Sequence, residues 1–185
     1  MRFNLPLLAL GAVFAATAAP DCPAQSSFGP EISAEDFSQH LQGLAVAEPA
    51  GHQFNDYAEE LRLSYLRYQF TRLGLPTQAE PCGNAHGLQA ELAGTESGRP
   101  AVLYYAPWTN AAQVAGVLEI AERFMTSRPR PKHAVRFMFG SEAQAPLSAC
   151  TGLEKTTRVI QPENLPVGDA AALVRQLIAL QQQGR

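Results

Sequence analysis

The sequence has no surplus of positive charge and no apolar run long enough to span a membrane as a helix. Fourteen Lys and Arg residues stand against seventeen Asp and Glu residues, a formal net charge of -3, which argues against electrostatic binding of nucleic acid or anionic lipid. The longest apolar run, residues 5–19, is shorter than the roughly 20 residues that a transmembrane helix needs. We therefore expect no nucleic acid partner and no transmembrane segment.

Cysteine and recognisable catalytic motifs are also scarce. Three cysteines without a Cys-x-x-Cys pair exclude a disulfide scaffold and disfavour both thioredoxin-like chemistry and structural zinc. The sequence contains no His-Glu-x-x-His, no Gly-x-Ser-x-Gly and no glycine-rich phosphate-binding loop. No local motif by itself identifies a reaction.

The N-terminus has the pattern of a secretory signal peptide. A basic residue, an apolar run and small residues follow one another, which predicts a signal peptide and leader over residues 1–24 and an exported protein, periplasmic or secreted. Export to an oxidising compartment makes Cys82 and Cys150 the expected disulfide pair, with Cys22 single or removed. Acylation of Cys22 is the alternative, although the preceding Ala-Pro-Asp is a poor match to the context that acylation uses.

The remaining residues, 32–185, are predicted to form one α/β domain. Helices are predicted from Ser33, over 55–73, after a cap at Thr109 or Asn110, and over 169–183, and buried strands over 101–106 and 133–139. Residues 76–87 are rich in turn formers, and the weakly alternating segment 88–92 is predicted to form a hairpin with 101–106. Strands alternating with helices of this length predict an α/β sandwich.

The four histidines are scattered along the chain, at His40, His52, His86 and His133. His40 lies next to the apolar face of the first helix and His133 at the start of a strand, which favours surface or edge positions over metal ligation. In the third predicted helix, Glu119 and Glu122 are expected on the side opposite the apolar face. The histidines therefore predict no metal centre by themselves.

Two side chains follow the buried strands at the end where α/β folds gather reactive groups. Glu142 comes just after the strand 133–139 and is the best single acid/base candidate, with a solvated loop carboxylate as the alternative. Trp108, the only tryptophan, follows the strand 101–106. The side chain of Trp108 either lines a ligand groove or packs in the core.

Several phrases, in this order, resemble peptidase family 28, the di-zinc aminopeptidases. ISAEDFSQHLQGLA resembles the opening helix, YAEELRLSYLRYQFTRLGLP the second helix and its turn, GLQAELAGT a strand of the sheet, NAAQVAGVLEIAERF the helix after the bridging aspartate, and HAVRFMFGSEA the strand with the Glu-Glu pair. The resemblance covers residues 32–147. It implies a three-layer sandwich with a mixed, mostly parallel central sheet flanked by helices, here a C-terminally truncated version.

The same resemblance implies that the metal site is degenerate. Two zinc ions in that family share a bridging Asp and polarise the peptide carbonyl and the attacking water. Where the family has a His-x-Asp motif, this chain has Ala106, Pro107 and Trp108, and Thr109 stands in place of the bridging aspartate.

The second half of the family's site is also incomplete. Glu142 matches the general base, but Ala143 replaces the metal-binding Glu beside it, and no histidine follows Leu147. A general base without a metal has no activated water to serve.

We therefore expect a non-catalytic protein without a cofactor that binds a peptide or protein partner. The residues expected to line its groove are Tyr105, Trp108, Thr109 and Asn110. One alternative is an active zinc-dependent exopeptidase with an altered site that uses His86 and Glu142. Another is a structural or assembly role in which a partner strand docks on an open sheet edge. The sequence leaves the ligand and the oligomeric state open.

Overall fold

The computed structural model describes residues 31–46, 56–82, 85–140, 147–150, 153 and 156–185. The predicted signal peptide, Cys22, His52 and Glu142 lie outside these residues. The elements in the described part are α1 (Ala34–Val46), α2 (Asp56–Arg72), β1 (Thr77–Cys82), β2 (Ala85–Leu92), β3 (Ala101–Pro107), α3 (Ala111–Thr126), β4 (Val135–Gly140), a 3-10 turn (Leu147–Ala149), β5 (Thr156–Ile160) and α4 (Ala170–Gln183).

The five strands form one mixed sheet in the order β1-β2-β4-β3-β5. Strand β3 pairs in parallel with β4 and with β5, whereas β2 pairs antiparallel with β4 and with β1. The α/β class and the mixed sheet with flanking helices are thus confirmed. Because β3, β4 and β5 run in the same direction, their carboxyl ends meet at one edge of the sheet.

Local interactions explain where α1 begins and where α2 ends. The Ser33 hydroxyl accepts a hydrogen bond from Asp36 N–H at 2.9 Å, which caps α1 at the residue that the sequence predicts. Helix α2 is followed by Gly74 with φ 73°. Leu75 N–H there donates to the Phe70 carbonyl at 2.9 Å, the six-to-one bond of a Schellman motif.

Helices α3 and α4 begin at side-chain caps. Asn110 Oδ1 accepts from Gln113 N–H at 3.1 Å, and Asp169 Oδ1 accepts from Ala172 N–H at 3.0 Å. Both caps satisfy backbone donors that the first turn leaves open. Asn110 rather than Thr109 is therefore the cap of α3.

The predicted hairpin between residues 88–92 and 101–106 is wrong. Strand β4 lies between β2 and β3, and the partner of β2 on its other side is β1, which falls within the segment expected to be turns. The hairpin forms instead between Thr77–Cys82 and Ala85–Leu92. Its register pairs Ala79 with Leu88.

The main core lies on one face of the sheet. Tyr104 of β3 stacks on Phe137 of β4, with ring centroids 5.9 Å apart, and Phe70 of α2 and Phe124 of α3 pack against the same ring. All four helices contribute buried side chains to this cluster. This shared core holds α1, α2 and α3 in place relative to the carboxyl ends of the strands.

The opposite face of the sheet carries a smaller cluster. Leu103, Tyr105 and Met138 are buried there, and in the described residues they are covered by Leu147 and Leu153. A disulfide between Cys82 and Cys150, with the Sγ atoms 2.11 Å apart, ties this covering segment to β1. The pairing agrees with the one expected from the sequence.

None of the helices in the described ranges has both the length and the apolar character needed to span a membrane.

Candidate functional site

Trp108 is buried at the carboxyl end of β3. The residue is only 3% exposed, and its backbone N–H donates to the Gly140 carbonyl at 3.0 Å, which extends the β3–β4 pairing by one residue. Ala106 and Pro107 before it are buried as well. The tryptophan therefore occupies the edge of the sheet where parallel α/β folds bind ligands.

A buried arginine fixes the backbone of this tryptophan. Arg62 of α2 is 1% exposed, and its Nη1 donates a hydrogen bond to the Trp108 carbonyl oxygen. This bond links α2 to the carboxyl end of β3. It also places a permanent positive charge beside the strand end.

One face of Trp108 borders a cavity of about 280 Å³ between α2 and the β1–β2 hairpin. The cavity is lined by Glu59, Glu60, Leu63, Arg67, Ala79, Gly87, Leu88 and Trp108. Glu60 and Arg67 form an ion pair at its rim, with Oε1 and Nη1 3.0 Å apart. The cavity thus combines apolar walls with two carboxylates and one guanidinium, and we call it the α2 cavity.

The other predicted binding residues lie elsewhere. Asn110 lines a second cavity of about 370 Å³, between the start of α3 and residues 162–165. Thr109 is exposed in the turn before Asn110. Tyr105 is buried on the opposite face of the sheet, beside Gly140. The structure therefore does not bring Tyr105, Trp108 and Asn110 into one groove, and Glu142 lies outside the described residues.

The described side chains at the strand ends do not suit a zinc ion. Ala106 and Pro107 carry no ligand atom, and the indole of Trp108 is a donor only. The guanidinium of Arg62 against the Trp108 carbonyl would repel a cation. In the described part of the chain, the group of metal-ligating side chains that does come together lies in the helical layer instead.

That group is His40 of α1 with Glu119 and Glu122 of α3. His40 Nε2 lies 3.3 Å from Glu122 Oε1 and 3.6 Å from Glu119 Oε1. The three residues are 0%, 1% and 5% exposed in the order His40, Glu119, Glu122. The expectation of a surface or edge position for His40 is therefore wrong. Glu119 and Glu122 are buried because α1 packs over their side of α3.

Neighbouring groups hold this cluster in place. The Tyr65 hydroxyl lies 2.9 Å from His40 Nδ1, and Ser33 N–H donates to Glu119 Oε2 at 3.0 Å. Burial raises the pKa of Glu119 to about 8, and the hydrogen bond from Ser33 N–H opposes that shift. Burial likewise raises the pKa of Tyr65 to about 12.

A sequence signal for this cluster exists in α1. His40 lies three residues after Phe37 and four before Leu44, both of which are buried, so it occupies a position in the apolar stripe of the helix. A histidine in such a stripe needs a polar partner in the core. The glutamates carry no comparable signal, because nothing local shows that α1 covers that side of α3.

The fold is similar to those of several solved exopeptidase structures. A tripeptidase from Staphylococcus aureus aligns with a TM-score of 0.52 at 12% identity, covering 70% of this chain and 44% of the other. The LapA aminopeptidase of Legionella pneumophila aligns with a TM-score of 0.51 at 14% identity, covering 62% and 36%. A candidate zinc-dependent exopeptidase from Bacteroides vulgatus aligns with a TM-score of 0.50 at 19% identity, covering 62% and 49%.

These matches show the fold. The aligned part spans less than half the length of each of these three proteins. No protein-family model and no curated protein matches the sequence.

Proposed function

We propose that this chain is an exported relative of the family-28 aminopeptidases that binds peptides through a free N-terminus and does not hydrolyse them. The observation that carries the proposal is the buried Trp108 at the carboxyl end of β3, which fills the strand end and forms a wall of the α2 cavity. In the family that the sequence resembles, this strand end carries metal ligands. In this chain, we expect the same strand end to form part of the peptide-binding cavity.

The α2 cavity has the chemistry to hold the first residue of a peptide. Its walls include Leu63, Leu88 and Trp108, which suit an apolar side chain, and the carboxylates of Glu59 and Glu60 suit an amino group. Arg67 pairs with Glu60 at the rim of the cavity, with Nη1 and Oε1 3.0 Å apart. A volume of about 280 Å³ accommodates one or two residues rather than a folded partner.

The lack of hydrolysis follows from the residues at the strand end. Peptide hydrolysis in the resembled family depends on zinc to activate water and polarise the carbonyl. Ala106, Pro107 and Trp108 supply no zinc ligand, and Arg62 brings a positive charge to the same place. The proposal therefore combines a binding cavity at this strand end with described residues that supply no zinc ligand there.

Export is supported by two independent features. The apolar N-terminal run has the pattern of a signal peptide. The Cys82–Cys150 disulfide belongs to the class of bond that persists in oxidising compartments.

Peptide binding is expected to change the fluorescence of Trp108, which is the only tryptophan in the chain. A tripeptide that begins with leucine and has a free amine should shift the emission saturably. Its N-acetylated form should bind about tenfold more weakly, because it lacks the charge-assisted hydrogen bonds to the cavity carboxylates. The measurement is a fluorescence titration of the purified protein with both peptides.

Matched variants locate the site. The double variant Glu59→Gln/Glu60→Gln should reduce the preference for the free amine, whereas Glu35→Gln, an exposed carboxylate on α1, should leave both titrations unchanged. Equal binding of the free and acetylated peptides by the unmodified protein, or no saturable change with either, would contradict the proposal.

A further inference from the structure

We propose that His40, Glu119 and Glu122 form a binding site for a first-row divalent cation, with zinc as the best fit, buried between α1 and α3. The site lies in the helical layer and not at the carboxyl ends of the strands. It does not depend on peptide binding, so either proposal can fail without the other.

The distances from His40 Nε2 to the two carboxylates match those between ligand atoms of a metal site, and all three ligand atoms lie within 4.8 Å of one another. Zinc binds histidine nitrogen and carboxylate oxygen at about 2.0–2.2 Å, so two ligand atoms of a tetrahedral site lie roughly 3.3–3.5 Å apart. His40 Nε2 lies 3.3 Å from Glu122 Oε1 and 3.6 Å from Glu119 Oε1. Direct N–H···O hydrogen bonds are shorter, at about 2.7–3.2 Å.

Two carboxylate oxygens of the cluster have no hydrogen-bond donor among the described residues. They are Glu119 Oε1 and Glu122 Oε2, on side chains that are 1% and 7% exposed. A buried carboxylate oxygen without a donor is costly, and a bound cation removes that cost. Glu119 Oε1, which also lies 3.6 Å from His40 Nε2, is the second, independent indication of a bound ion between the helices.

The surrounding groups orient the ligands as the outer shell of a metal site does. A hydrogen bond between His40 Nδ1 and the Tyr65 hydroxyl fixes the imidazole ring, and the one from Ser33 N–H to Glu119 Oε2 leaves Oε1 of that carboxylate facing His40. Outer-shell contacts of this kind fix the histidine tautomer and position carboxylate ligands. Gly43 gives the Tyr65 ring room, since a Cβ there would lie 2.5 Å from a ring carbon.

The charges of the cluster also favour a divalent cation. Glu119 and Glu122 lie within one turn of α3, and the carboxylate of Asp36, itself 8% exposed, acts electrostatically on Glu119. Ionised carboxylates gathered away from water repel one another unless a positive charge lies between them. One histidine and two carboxylates form a nitrogen and oxygen ligand set that suits zinc.

The bound cation would clamp α1 to α3. Helix α1 contributes His40, and α3 contributes both glutamates one turn apart, so the ion would join the first helix of the domain to its central helix. We therefore expect the bound cation to raise the stability of the folded chain.

The metal content of the protein tests the proposal. Protein expressed in zinc-containing medium should contain about one zinc ion per chain after purification. Elemental mass spectrometry measures this content. The isosteric variants Glu119→Gln and Glu122→Gln should each lower zinc affinity by more than about tenfold, and Tyr65→Phe by about tenfold. Glu91→Gln, whose side chain pairs with Arg136 at the surface, is the control and should keep its zinc.

Thermal melting separates a metal site from a metal-free cluster. If the site holds zinc, removing it should lower the melting temperature of the unmodified protein but not of Glu119→Gln. Three results together would overturn the proposal. The protein would purify without metal, folding in zinc would leave its melting temperature unchanged, and the Glu119→Gln variant would melt at the same or a higher temperature. Zinc retained equally by Glu119→Gln and Glu122→Gln would overturn it too, because the ion would then be bound elsewhere.

Discussion

Replacing Arg62 with alanine is expected to destabilise the protein by about 3 kcal/mol and to shift the Trp108 emission to longer wavelength. Arg62 is 1% exposed and donates to the Trp108 carbonyl. The truncation leaves that carbonyl without this charged donor and opens a void under α2, and both effects raise the free energy of the folded state. Denaturant unfolding and the emission spectrum measure the two parts of the prediction.

The matched control for this experiment is Arg67→Ala on the same helix. Arg67 is 47% exposed on its side chain and pairs with Glu60 at the surface, and an exposed pair of this kind contributes at most about 1 kcal/mol. If Arg62→Ala and Arg67→Ala had equal stabilities and unshifted spectra, the buried contact with Trp108 would not exist in solution.

Removing the Cys82–Cys150 disulfide is expected to cost roughly 4 kcal/mol. The bond closes a sequence separation of 68 residues, and loop-closure entropy predicts a stabilisation of this size for such a loop. The double variant Cys82→Ala/Cys150→Ala and the reduced unmodified protein should therefore unfold at similarly lowered denaturant concentrations.

Cys22→Ala is the control for the disulfide. Cys22 is not part of the pair, so this variant should unfold like the unmodified protein and remain sensitive to reductant. If reductant left the unfolding of the unmodified protein unchanged, the pairing of Cys82 with Cys150 would be refuted.

Elements with strong local signals could be predicted from the sequence. Ser33 and Asn110 cap their helices with their own side chains, and Gly74 takes the left-handed conformation that ends α2. Strand β3 is buried along its whole length, which the continuous apolar and aromatic run predicts. Each of these features depends on residues that are close in the sequence, so the local sequence is sufficient to predict it.

Strand β1 could not be predicted for the opposite reason. Thr77–Cys82 contains Pro81 and polar residues, a composition typical of turns, and an edge strand tolerates a proline because one side of its backbone needs no partner. What holds β1 is its hairpin ladder with the next strand, β2, and the disulfide to Cys150, which lies 68 residues away in the sequence. The composition of residues 77–82 alone therefore does not predict a strand.

The buried cluster was missed because it joins distant parts of the chain. His40 and Glu119 come together only when α1 packs on α3, and a sequence pattern identifies the face of a helix but not the element that covers it. The acidic side of α3 is typical of a solvated surface. At the strand end, by contrast, the residue types Ala106, Pro107 and Trp108 are read directly from the sequence, and the proposal that they replace metal ligands depends on the resemblance alone.

Binding without hydrolysis is tested by measuring both on the same sample. The purified protein, with zinc present, is incubated with the leucine-initiated tripeptide at the concentration that saturates the Trp108 signal, and the peptide is then analysed by mass spectrometry. We expect a saturated fluorescence change and an intact peptide. Release of free leucine that stops when a chelator is added, and that an equal amount of the Glu59→Gln/Glu60→Gln variant performs more slowly, would contradict it and establish an active zinc exopeptidase.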